Sequence, residues 1–113
     1  MLIKKSSSIK IENSKTCTVY EYKYPSKNFS FATALIKGRY PEERRVKNLE
    51  CEEIYYVMSG SGIIHSEKGC FEINEGDLYF FEKNEAYWVK GNKLLLALVN
   101  APKWTSEQHK IVD

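Results

Sequence analysis

Between Cys51 and Tyr87 the chain reads CEEIYYVMSGSGIIHSEKGCFEINEGDLYFFEKNEAY, a succession of short β-rich runs broken by small turn residues. Glu53 to Met58 is one run, and Ser59-Gly60-Ser61-Gly62 interrupts it before Ile63 to Ser66 resumes. Lys68-Gly69 and Glu75-Gly76-Asp77 separate the next runs, Phe71 to Ile73 and Leu78 to Phe81. Short β segments joined by Gly-containing turns predict antiparallel hairpins and exclude βαβ units, whose crossovers need a dozen or more residues.

The flanks extend the same pattern. Residues 8–13 predict a first strand. From Lys15 to Tyr24 the period is two, with Thr18, Tyr20, Tyr22 and Tyr24 on one face and Cys17, Val19, Glu21 and Lys23 on the other. Phe29 to Lys37 predicts a strand, and Tyr40-Pro41 begins an extended connection. Glu42 to Glu50 is mostly charged, which suits a solvated loop or an edge strand. Ala86 to Lys90 predicts a short strand, Gly91-Asn92 a hairpin turn, and Lys93 to Asn100 a strand apolar on both faces. Thr105 and Gln108 have the spacing of a capping box for one helical turn. Nine or ten strands with little helix imply an all-β sandwich or small barrel.

Bulk properties narrow the function. With 113 residues the chain is one domain, large enough for a core without staples. Basic and acidic residues (17 and 15) are mixed along the chain for a net charge of +2, which gives no field for nucleic acid. No apolar run is long enough to span a bilayer, and the N-terminus lacks a signal-type apolar region. Cys17, Cys51 and Cys70 form no CxxC pair, so they read as free thiols and a cytoplasmic location is expected.

The central stretch resembles the cupin superfamily. Glu53, followed after six residues by Gly60, matches the end of the first cupin motif (EEIYYVMSG), and Gly76-Asp77 opens the second. Together the motifs cover residues 38 to 91, and the ending APKWTSEQH resembles the tail of small bacterial cupins. The resemblance implies a single-domain jelly-roll barrel (a double-stranded β-helix) over residues 1–113. It also exposes departures. The positions of the histidine pair fall on Val46 and Asn48, or on Lys47 and Leu49, and that of the later histidine on Tyr87. Glu53 alone remains of the usual ligand set, so no metal or other cofactor is expected.

The expected function is therefore binding of a small molecule inside the barrel, a sugar or organic acid by fold analogy. One alternative is a metal-independent isomerase or epimerase with Glu53 and Tyr87 as acid and base; another is a dimeric module without ligand. Asn48, Tyr55, Trp88, Arg39 and Arg44 are the candidate ligand contacts, with Tyr55 and Trp88 as walls and the arginines at the entrance. A lone inward Glu53 needs either a cation (Arg39, Arg44, Arg45 or Lys47) or a raised pKa. If Ser59-Gly60 is a hairpin turn, His65 points away from the face of Glu53. His109 reads as a solvated tail residue, and Cys51 as a packing residue near the barrel mouth. A homodimer is expected, with the tyrosine face of residues 18–24 available for pairing.

Overall fold

The computed structural model describes residues 1–113. Nine antiparallel strands form a curled sheet: β1 (Ile9–Ser14), β2 (Cys17–Tyr22), β3 (Ser30–Tyr40), β4 (Arg45–Asn48), β5 (Glu52–Ser66), β6 (Gly69–Asn74), β7 (Leu78–Phe81), β8 (Tyr87–Ala101) and β9 (His109–Val112). The order β1-β2-β3-β8 continues through β8 both to β4-β9 and to β5, which also holds β6 and β7. This is the expected jelly-roll barrel of nine strands. The charged segment 42–50 supplies β4, paired to β9.

Two predicted turns are not turns. β5 runs unbroken through Ser59-Gly60, and β8 runs unbroken through Gly91-Asn92. The two strands pair along nearly their whole length, from Glu52↔Ala101 to Ser66↔Tyr87. Gly38, Gly91 and Gly62 stand opposite one another across β3, β8 and β5, with register shifts at Ile36/Gly38 and between Val57 and Ser61. A Cβ on Gly91 would lie 2.4 Å from the Ile36 carbonyl oxygen, and one on Gly60 would lie 2.0 Å from that of Lys93. These glycines let three long strands bend together at the barrel corner by bulges and close backbone approach. The predicted helical turn is a 3-10 turn at Ser106–Gln108, without a side-chain cap from Thr105.

Alternation then sorts the side chains. Tyr55, Val57 and Ile64 of β5 enter a core with Ala34 and Ile36 of β3 and with Tyr87, Val89, Leu94 and Leu96 of β8. The next residues along face outward. Thr18, Tyr20, Thr33, Leu35, Leu95, Ala97, Val99, Ile54, Tyr56, Leu78 and Phe80 are cross-strand neighbours in an uncharged patch of the outer face, bordered by Lys10 and Glu12 of β1. No helix is long and apolar enough to cross a membrane.

Candidate functional site

The barrel encloses a cavity of about 190 Å³. Glu53, Tyr55, Tyr87, Asn100, Tyr40 and His109 line its interior, while Lys23, Phe29 and Lys103 are exposed at its rim. Glu53 and Asn100 meet because they are cross-strand partners on the inward face of β5 and β8. Tyr87, the first residue of β8, pairs with both Val46 and Ser66 and so points inward from the other half of the barrel.

Glu53 is held by carboxamides. Asn48 Nδ2 donates to Oε1 at 3.0 Å, and Asn100 Nδ2 donates to Oε2 at 3.4 Å. Burial pushes its carboxyl up to about 7, against the pull of the Asn100 and Asn48 amides and the Tyr87 hydroxyl. Of the two ways to accommodate this group, the chain uses a raised pKa. None of the candidate cations forms an ion pair with it, and Arg44 pairs instead with Asp113 at 3.0 Å. Asn100 Oδ1 is buried with no partner. The Tyr55 and Tyr87 hydroxyls lie 3.3 Å apart, and burial drives both phenols well above their ordinary range, so they stay protonated.

The C-terminal segment orients this group. Backbone N–H groups of Glu50 and Cys51 donate to Gln108 Oε1 at 3.1 and 3.2 Å, which turns the Gln108 amide nitrogen toward Asn48. Gln108 Nε2 donates to Asn48 Oδ1 at 2.8 Å, and Asn48 then presents its own NH2 to Glu53. His109 Nδ1 lies 3.0 Å from the same Asn48 oxygen, and its Nε2 lies 3.3 Å from the Tyr40 hydroxyl. His109 is thus part of the cavity, contrary to its reading as a solvated tail residue. Gln108, Tyr40 and Asn100 are further members that local sequence did not suggest.

Of the expected contacts, the structure brings Glu53, Tyr87, Tyr55 and Asn48 together. It does not bring Trp88, Arg39 or Arg44. Trp88 follows the inward Tyr87 and so faces out, stacked on His65 at 3.7 Å with an interplanar angle of 6°. Arg39 covers the Trp88 ring at 4.1 Å and donates to the carbonyls of Pro41 and Arg44. His65 does point away from Glu53, although it does so on a continuous strand and not across a hairpin. Cys51 is buried with Sγ 3.2 Å from the Pro102 carbonyl oxygen, and Cys17, in the cavity wall, is pushed up to about 12 by burial.

The residues present do not fit the metal that a cupin barrel implies. No three His, Cys, Asp or Glu residues cluster. The single carboxylate accepts from two NH2 groups, and Asn48 turns its oxygen away from Glu53, so the site offers a cation donors where it needs lone pairs.

No family model matches the sequence. No curated protein matches it either. Solved structures do match in fold. A variant of Streptomyces PAC13 with uridine superposes with a TM-score of 0.89 at 15% identity, over 99% of this chain and 89% of that one. Pac13 is described as a unique nucleoside dehydratase. KdgF from Halomonas sp. gives 0.74 at 10% identity over 92% and 96% of the two chains. Ectoine synthase from P. lautus gives 0.68 at 19% identity over 89% and 79%. These likenesses establish the cupin barrel as the fold.

Proposed function

We propose that the barrel binds a small, polar, ring-bearing molecule and handles a proton on it without a metal, through Glu53 and Tyr87. The observation that carries this reading is a buried carboxyl with no cationic partner, facing a cavity and titrating near neutrality. A group poised there serves as acid or base at similar cost. Tyr87 contributes a hydroxyl that holds its proton and orients polar atoms of the ligand, and Tyr55 braces it. Trp104, beside His109 at the cavity, offers an apolar face to a flat ring.

Uridine in a barrel of the same shape supports a nucleoside-like ligand as the first to try, before sugars and organic acids. Calorimetric titration of these compounds into the protein tests the reading. Saturable binding of one class, lost in Glu53→Gln with the fold intact, supports it. Unchanged affinity in that variant removes Glu53 from the site.

A second reading rests on a separate observation, the uncharged patch on the outer face of β2, β3, β8, β5 and β7 that Lys10 and Glu12 border. Pairing of two copies through this face buries it, and a stable interface needs about 800 Å² from each partner. Sedimentation at several protein concentrations checks the homodimer, and the two readings are compatible.

A further inference from the structure

Glu53 lies at one end of the Asn48 carboxamide, and His109 lies at the other. Asn48 Oδ1 is only an acceptor, and Gln108 has fixed which way that amide faces. The His109 nitrogen 3.0 Å from it therefore carries the proton. In the neutral ring the lone pair is then on Nε2, where the Tyr40 hydroxyl donates to it at 3.3 Å. Two backbone N–H groups thus determine a histidine tautomer through two side-chain amides. Burial also lowers the pKa of His109, so the ring is uncharged near neutrality. Cys17, Tyr40, Glu53, Tyr55 and Tyr87 are the titratable groups sharing the interior with it. Glu21, Lys23, Tyr22, Tyr24 and Lys103 line the cavity nearer the solvent.

We propose that the Tyr40–His109 pair is a second proton-handling centre, in which His109 Nε2 acts as base, directly or through the Tyr40 hydroxyl, while Glu53 acts as acid. This rests on the cavity being a small-molecule site. It specifies the substrate class as a small carbonyl compound whose adjacent carbon bears both a removable proton and a hydroxyl, and the reaction as isomerisation. The imidazole takes that proton, and the C–H electron pair forms the C=C bond of an enediol. The carbonyl π pair moves onto oxygen, which receives the Glu53 proton. The imidazolium proton then returns to the former carbonyl carbon, while the proton of the hydroxyl on the other enediol carbon passes to the Glu53 carboxylate. This moves the C=O bond to that other carbon, completes the isomer and resets both groups. No oxidant or reductant is required.

The test uses the full chain and nitrobenzisoxazole, a flat chromogenic compound whose ring opens when a base removes its C–H proton. The unsubstituted protein is expected to outpace free imidazole, with a rate that rises through a pH below the ordinary histidine value. His109→Gln is expected to lose on the order of tenfold or more together with that inflection, whereas Glu53→Gln lowers the rate but leaves the inflection in place. An unchanged rate in His109→Gln, with an inflection near 7 that Glu53→Gln abolishes, makes Glu53 the base and overturns this inference alone. No acceleration by the unsubstituted protein overturns the assignment of His109 as a base, while the binding reading stands or falls separately on the calorimetric titration. Imidazole nitrogen NMR on the unsubstituted protein gives a check that needs no variant. A ring protonated at Nδ1 supports the assignment, and protonation at Nε2 overturns it.

Discussion

The protein uses its two histidines in two opposite environments. On the outside, His65 stacks face to face on Trp88, and Arg39 covers the indole from another side. Inside, His109 is locked edge-on by hydrogen bonds to Asn48 and Tyr40. The outer cluster is built from neighbours on β3, β5 and β8 and is partly exposed to solvent. The inner one draws on β3, β4, β5 and β9, and its polar atoms depend on one another because Asn48, Glu53 and Gln108 are buried. Both contain an imidazole beside aromatic rings, yet only the inner cluster constrains a proton. Hydrogen-bond geometry under burial sets the chemistry here, and residue type alone does not.

That contrast is sharpest at the Asn48 hub. Asn48→Leu leaves Gln108 Nε2, His109 Nδ1 and Glu53 without their buried partner, and a loss of about 4 kcal/mol is expected in urea unfolding. A loss under 1 kcal/mol would mean the inner network is no more cooperative than the outer stack. Next in size is the charge state of Glu53. Its folded pKa of about 7 lies above the ordinary 4.5, so the folded protein holds a proton that the unfolded chain releases between those values. Stability contributed by this group is present below pH 4.5 and is lost as pH rises through 7. Glu53→Gln removes the dependence, and at pH 8 the variant is expected to be more stable by about 3 kcal/mol, with little difference at pH 4. Thermal melts at the two pH values decide it, and equal stability at pH 8 shows an ordinary carboxylate.

On the outer face, Trp88→Ala removes the stack and the cation contact at a half-exposed position. About 1 kcal/mol is expected, with ligand binding untouched. Impaired binding in this variant breaks the division between inside and outside. The smallest effect concerns thiols. Cys70 is exposed, whereas Cys17 and Cys51 are buried and pushed up to about 12 and about 11. A thiol reagent should label Cys70 promptly and the other two only on unfolding.

The barrel was legible in the sequence because alternation and glycine spacing are local signals. Glu53 and Tyr87 were picked out by the resemblance to the cupin motifs, and Tyr55 followed from alternation with Glu53. Trp88 did not belong with them, since neighbours on one strand face opposite ways, and its adjacency to Tyr87 argues against a shared pocket. The glycines at 60 and 91 misled for a physical reason. A hairpin turn and a corner both call for an unsubstituted Cα, and only the atoms across the gap, the carbonyls of Lys93 and Ile36, distinguish them. Gln108 and His109 reach Asn48 across 60 and 61 residues of sequence, and no periodicity encodes such a meeting.

β9 pairs with β4 alone. Strands held on one side open locally at far lower free energy than the global transition. When this ladder opens it withdraws both Gln108 and His109, Asn48 loses what orients it, and the proton chemistry of Glu53 changes while the barrel stays folded. The free energy of that single opening step is therefore a ceiling on how well the site is preorganised. Amide exchange at residues 109–112 measures it without knowledge of the ligand.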